Sequence, residues 1–336
     1  MTDYTLINIK KETLAKINEI CSASASECID EFVNALYKIN DSLKKLVNSK
    51  EGKKLVGYAG GDWFIKDELI SIAMQVPLIR ATFVEVFGGS GVLSQYIPRS
   101  KFTNIIYNDI DKDLVSLHEY VKNNPDLLAS ILYILPYSRY VREQIYKNHA
   151  GRDIGGLIGA VAMFYLLRSG YFGTFREGFG VHIKPNSSTA VRYMSGIASI
   201  YSTAERFRDV VIECADFEYI IKKYDSNGTL FYLDPPFVSS DKTKRDDFYR
   251  YTFTEADAVR LTRILRNIKG YFMLKISEDN EKYYSSIAVD RAEIVTKKSM
   301  KLVRDGERRD VKIIVLTNYK LNRKSNINLL EMQNAR

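Results

Sequence analysis

The chain has 336 residues, 46% hydrophobic and 27% charged, with 49 Lys and Arg against 41 Asp and Glu for a formal net charge of +8. That length suits two units, or one large α/β domain with an insertion, and the basic surplus favours anionic partners such as nucleic acid. Three cysteines (Cys21, Cys28, Cys214) make neither a disulfide framework nor a closed zinc site, three scattered histidines argue against a metal, and no apolar run reaches the ~20 residues a bilayer needs. No apolar leader opens the chain, so the expectation is a reducing, intracellular setting without membrane or metal.

In chain order, residues 8–50 carry apolar side chains at spacings of three, four and seven, which predicts a helical extension over 1–52 joined by the connector EGKK (51–54). From about 55 the pattern changes to strand, turn and helix in alternation. ATFVEVF (81–87) is a strand that runs into glycines, VLSQYI (92–97) a short helix, NIIYND (104–109) a strand ending on acids, and DKDLVSLHEYVKNN (111–124) an amphipathic helix. Residues 121–204 interrupt the alternation with dense aromatic and basic residues and read as an insertion between two halves of a sheet. TLFYL (229–233) is a strand that must stop at Asp234, because Pro235 and Pro236 lack the N–H a ladder needs. TEADAVRLTRILRNI (254–268) is a helix with Thr254 as N-cap, and YFMLKIS (271–277) and VKIIVLTNY (311–319) complete the strands. Alternation of this kind predicts a mostly parallel, doubly wound α/β sheet, with ligands at the carboxyl ends of its strands.

Gly88, Gly89 and Gly91 follow a strand directly, so backbone N–H groups can approach a ligand closely. The loop is neither GxGxxG nor a Walker A loop. Asp109 and Asp111 end the next strand, where an acid can accept hydrogen bonds from ribose hydroxyls. A nucleoside without a phosphate chain therefore fits better than a dinucleotide.

Together these segments resemble the DNA adenine-N6 methyltransferases of the Dam-like, D12 class. YAGGDWFIKDELISIAMQVP (58–77) is similar to the family's first cofactor segment, EVFGGSG (85–91) to its glycine loop, and IIYNDIDKDLVSLHEYVKNNPDLL (105–128) to its ribose-binding segment. Cys214-Ala215-Asp216-Phe217 resembles the element that meets the cofactor's adenine, LDPPF (233–237) the D-P-P-Y/F motif, and RRDVKIIVLTNY (308–319) the closing strand. Gly57 and Asp62 stand where the family usually has lysines, Tyr58 replaces a common Trp, Val86 replaces a Pro, and the minimal pattern has no counterpart of the extension before residue 52. The segment therefore carries no lysine at positions 57 and 62.

The resemblance implies a Rossmann-like S-adenosyl-L-methionine-dependent methyltransferase sheet over 53–120 and 205–322, a mostly helical target-recognition insertion over 121–204 and a tail over 323–336. It implies that Tyr58, Ala59, Gly60, Gly61, Glu85, Phe87, Gly89, Ser90, Gly91, Asp109, Ile110, Asp216, Phe217 and Asp234 hold the cofactor. It assigns catalysis to Asp234, Pro235, Pro236 and Phe237. The Asp234 carboxylate and the Pro235 carbonyl accept from the adenine amine, and Phe237 stacks on the flipped base. Double-stranded DNA is expected at Arg168, Ser169, Tyr171, Phe172 and Arg176 and at the basic cluster Lys242, Lys244 and Arg245; a cognate restriction endonuclease is a further expected partner. No cysteine follows a proline, which argues against cytosine-C5 chemistry. Cytosine-N4 enzymes more often carry Ser at position 234, so Asp234 favours adenine. The alternatives are methylation of adenine in RNA and a non-catalytic nucleic-acid-binding protein on the same fold.

Overall fold

The computed structural model describes residues 54–58, 60–149, 152–170, 178–181, 188–238, 250–296 and 311–322. The expected N-terminal extension and C-terminal tail lie outside the described residues. Seven strands form one sheet in the order β3-β2-β1-β4-β5-β7-β6: β1 (Ala81–Glu85), β2 (Phe102–Asn108), β3 (Val210–Glu213), β4 (Thr229–Leu233), β5 (Tyr271–Ser277), β6 (Asp290–Thr296) and β7 (Val311–Thr317). The first five pair in parallel, and β7 runs antiparallel to both β5 and β6. The predicted strands are all present. The two that sequence reading missed, β3 and β6, are the sheet edges. Their burial is partial or alternating and β6 carries Asp290, Arg291 and Glu293, so neither shows the apolar run that marks an inner strand.

The inner strands are apolar at nearly every position because both faces are covered. Phe83, Ile105, Tyr107, Leu230, Tyr232 and Met273 pack on one face with Leu69, Ile72, Leu93 and Phe207. Val84, Ile106, Phe231, Leu233, Phe272 and Leu274 pack on the other with Ile220, Ala258, Leu261 and Leu265. The chain moves outward from β1 to β2 and β3, then returns to lay β4 on β1's other side. A crevice opens at such a reversal, at the carboxyl ends of β1 and β4.

Helices fill the remaining layers: α1 (Lys66–Ala73), α2 (Val92–Tyr96), α3 (Lys112–Asn123), α4 (Pro125–Ile134), α5 (Arg139–His149), α6 (Gly156–Ser169), α7 (Thr189–Phe207), α8 (Phe217–Tyr224), α9 (Glu255–Leu265) and the single turn α10 (Glu281–Tyr284). Local chemistry sets their starts. Asp111 caps α3 by accepting from the N–H groups of Asp113 and Leu114, and Thr254 forms a full capping box with Asp257 at α9. Helices α4 to α7 lie between β2 and β3 in the chain, and α6 and α7 pack against α3.

The α3–α6 contact is close because Gly159 has no side chain: a Cβ there would stand 2.3 Å from Asp113 Oδ1. That carboxylate cannot step aside, since its Oδ1 accepts from the N–H groups of Ile154 (3.0 Å) and Gly155 (2.7 Å) and its Oδ2 from Arg250 (2.8 Å). A Gly→Ala change inside a helix gains up to about 1 kcal/mol of propensity, whereas overpacking costs about 1–3 kcal/mol. Gly159→Ala is therefore expected to lower stability by about 1–2 kcal/mol in urea unfolding, and a stabilised variant would contradict the pinned carboxylate.

Candidate active site

An open cleft of about 1050 Å³ lies at the carboxyl ends of β1, β2 and β4. Its floor is the glycine loop. Gly88 crosses over Tyr107, where any Cβ would fall 2.2 Å from the ring, and Gly89 and Gly91 take left-handed φ values of 52° and 63°. Gly89 is held from both sides. Its N–H donates to Asp109 Oδ2 at 2.9 Å, and its carbonyl accepts from the Tyr107 hydroxyl at 2.8 Å. His118 Nε2 lies 3.1 Å from the same carbonyl oxygen and so carries the proton. Burial keeps that ring neutral, with a pKa lowered to about 4.

Among the described residues, Asp62, Glu85, Asp109, Asp111, Asp216, Asp234 and Asp257 line the cleft against two guanidiniums, Arg250 and Arg260. Such a surface suits a cationic ligand and repels a pyrophosphate. Glu85 is only 2% exposed; its Oε2 accepts from Ser94 N at 2.8 Å and from the Ser94 hydroxyl. Burial pushes it up to about 8 and also raises Asp109. Asp111 is likewise lifted to about 7 by burial, with Arg250 opposing. Asp111, Asp113 and Asp153 bring carboxylate oxygens within 4.8 Å of one another. Arg250 Nη1 lies among them, at 3.0, 2.8 and 3.6 Å. Across the cleft Arg260 grips Asp216 with both terminal nitrogens, at 3.0 and 2.9 Å, and lies 4.1 Å over the Phe217 ring. Phe217 packs with Phe87 and Phe253 in an aromatic group.

Asp234 follows β4 immediately. Its Oδ2 lies 2.6 Å from Lys275 Nζ, on β5. The same ammonium donates to Asp62 Oδ1 and, at 2.9 Å, to the Gly60 carbonyl; Asp62 Oδ2 accepts from the Tyr232 hydroxyl at 2.6 Å. Burial by itself would lower the Lys275 pKa, but Asp234 and Asp62 more than offset it and hold the group cationic. Burial raises Asp234, and Lys275 is the strongest opposing influence.

Of the residues expected at the site, Tyr58, Gly60, Gly61, Glu85, Phe87, Gly89, Ser90, Asp109, Ile110, Asp216, Phe217, Asp234 and Pro236 share the cleft lining. Gly91 shapes the loop as the N-cap of α2, Pro235 is buried, and Phe237 is 44% exposed. Ala59, Tyr171, Phe172, Arg176, Lys242, Lys244 and Arg245 lie outside the described residues. Arg168 and Ser169 are not brought to the cleft. Arg168 donates to the carbonyls of Leu55 (2.7 Å), Lys54 and Arg192 (3.5 Å), and burial lowers its pKa to about 10. Ser169, fully buried, accepts from Arg142 at 2.9 Å and donates to the Tyr165 carbonyl at 2.5 Å. Sequence reading passed over Lys275, Arg250 and Arg260. The signal for Lys275 was available: it is the only charge in the strand YFMLKIS. A cation from β5 thus meets the acid at position 62.

A family model described as D12 class N6 adenine-specific DNA methyltransferase matches residues 58–302. The Type II methyltransferase M.MjaIII of Methanocaldococcus jannaschii is 24% identical over 258 residues, which span 70% of this chain and 88% of that protein. Among solved structures, the rRNA methyltransferase aviRa from Streptomyces viridochromogenes aligns at 13% identity with a TM-score of 0.31, covering 74% of this chain and 80% of that one.

The state of Glu85 makes stability depend on pH. The unfolded chain releases this proton near 4.5, whereas the folded protein keeps it up to about 8. Between those values the folded state binds more protons, so this group's contribution falls as pH rises. Glu85→Gln is expected to flatten the decline in thermal midpoint from pH 5 to about pH 8; an unchanged slope would assign the decline to other groups.

Proposed function

The chain belongs to the D12 class N6 adenine-specific DNA methyltransferase family, and from that premise we propose that it methylates the N6 amine of an adenine flipped out of a specific DNA sequence, with S-adenosyl-L-methionine as donor. The observation that carries this reading is a shared cleft: Asp234 and Pro236 line it together with Gly89, Ser90, Asp109 and Asp216. The glycine loop leaves room for a nucleoside at its backbone, and the carboxylate-rich lining suits a ligand with a sulfonium and an ammonium. When bound, the cofactor supplies an electrophilic methyl group.

The chain's own residues do the rest. Glu85, which a neighbouring cation would ionise, would accept from the cofactor's ammonium, Asp109 from its ribose hydroxyls, and Asp216 and Phe217 would hold its adenine, fixed in turn by Arg260. Tyr58, Gly60 and Gly61 close the opposite side. The target amine is a poor nucleophile because its lone pair is delocalised into the ring. The Asp234 carboxylate and the Pro235 carbonyl accept from its two N–H groups, turn the lone pair outward and stabilise the developing positive charge. Proline at 236 removes a competing N–H next to that carbonyl, and Phe237 offers its exposed ring to the extruded base. Arg168 and Ser169 support the fold from within as described above. Duplex contacts fall to Tyr171, Phe172 and Arg176, within a target-recognition segment at 121–204, and to Lys242, Lys244 and Arg245, which follow the catalytic LDPPF segment in the chain. The likeness to a Type II methyltransferase supports pairing with an endonuclease that cuts the same site.

Sequencing DNA from cells that express the chain, with detection of N6-methyladenine, is expected to show one methylated motif. Purified protein is expected to transfer label from S-adenosyl-L-methionine to duplex DNA carrying that motif and not to structured RNA. Asp234→Ala is expected to bind the cofactor normally while transfer falls by on the order of 10²–10³-fold or more. Full transfer by this variant would refute the assigned mechanism.

A further inference from the structure

Lys275 lies in the middle of β5 between Leu274 and Ile276, and it is 3% exposed. Nothing in the strand calls for a charge there, and burying one carries a desolvation cost that an apolar side chain of similar size avoids. Stability is thus a weak reason for a lysine at this point. Its three partners suggest another. Gly60 and Asp62 belong to the loop on one side of the cleft, and Asp234 ends β4 on the other. The lysine is the cation that joins them.

Asp234 has to accept hydrogen bonds to act on an amine. A carboxyl group in a dry site with no cation takes up a proton instead, and the protonated form offers a donor where an acceptor is needed. The charged and titratable groups around Asp234 come from β1, β4, β5 and the loop at Asp62. Asp62 and Glu85 are acids, and Tyr232 is a phenol directed at Asp62. Asp62 and burial disfavour the ionised form of Asp234, and Lys275 favours it through its charge and its hydrogen bond. Asp62, anchored by Tyr232, fixes where the ammonium stands.

We propose that Lys275 is a positioning residue for methyl transfer: held by Asp62, it keeps Asp234 an acceptor and ties it to the Gly60 carbonyl of the cofactor loop. The inference rests on the methyltransferase reading above and adds a residue to it. It also explains how Asp62 is tolerated where the family pattern has a lysine. The cation enters from the strand, and the loop supplies the counter-charge.

The test uses the full chain, labelled S-adenosyl-L-methionine and duplex DNA carrying the methylated motif, with single-turnover rates between about pH 5.5 and 9 and cofactor affinity measured separately. Lys275→Gln, one atom shorter but still a hydrogen-bond donor and without the charge, is expected to bind the cofactor within about threefold of wild type while transfer at neutral pH falls about 100-fold. The acid limb of its pH–rate profile is expected to move up by about one unit or more. In Asp62→Lys/Lys275→Leu the cation returns from the loop side, and transfer is expected to recover about tenfold over Lys275→Gln. The inference is overturned by a Lys275→Gln enzyme with near-wild-type rate and an unmoved acid limb. It is overturned equally if activity is lost at every pH with no recovery on relocating the charge, since that marks a structural role. Where Lys275→Gln fails to fold, the double variant decides alone: recovery of the acid limb supports the inference and its absence overturns it. Wild-type protein that transfers no methyl group to any adenine would overturn the enzymatic reading, whereas an active wild type beside an unaffected Lys275→Gln overturns this inference only.

Discussion

The parallel pairing of β1 with β4 is the constraint on which the site depends. Glu85 lies opposite Tyr232 in the register, and the Val86 N–H donates to the Tyr232 carbonyl at 3.0 Å. One more step along each strand brings the glycine loop and the LDPPF segment to the same edge of the sheet. A shift of one residue in either strand would turn the core side chains Val84 and Phe231 to the opposite face, so the hydrophobic layers themselves enforce the register. The positions of Asp234 and Gly88 relative to each other therefore follow from core packing more than from contacts between the two segments.

Around that edge the protein gathers carboxylates and restrains each differently. Glu85 is neutralised by burial, Asp111 and Asp113 share Arg250, Asp216 is gripped by Arg260, and Asp234 faces Lys275. The balance matters because an acid that lines a cleft is useful only in one protonation state. Burial pushes Glu85, Asp111 and Asp234 toward the neutral form, and a fixed cation opposes it at Asp111 and Asp234. The cleft remains richer in acids than in bases, although the whole chain carries a net charge of +8. An acidic cleft in a basic chain fits the proposed function, in which the cofactor is cationic and the DNA substrate polyanionic.

The helices between β2 and β3 contribute support as well as covering. Arg168 binds carbonyls of residues 54, 55 and 192, and Gly196 on α7 leaves the space its guanidinium occupies, since a Cβ there would lie 2.2 Å from Arg168 Nε. An arginine beside aromatic residues reads as a nucleic-acid contact in a one-dimensional pattern. The same pattern serves equally well to join a helix to a neighbouring chain segment, and burial decides between the two.

Much of the fold and of the cleft was legible in the sequence. The inner strands, the Thr254 cap, the glycine loop and the acids at the strand ends are local features, written in propensity, periodicity and turn chemistry over spans of ten or so residues. The edge strands β3 and β6 were not legible, because a half-exposed strand has no continuous apolar run. Nor was the partner of Asp234. Lys275 and Asp62 are 213 residues apart, and no local pattern links them. By itself the sequence determined which groups end the strands and what reaction they suit, since these depend on residue type next to a turn. Only the tertiary structure decided which charges meet, because an ion pair between distant strands exists only after the sheet has brought them within a few ångströms and excluded water from between them.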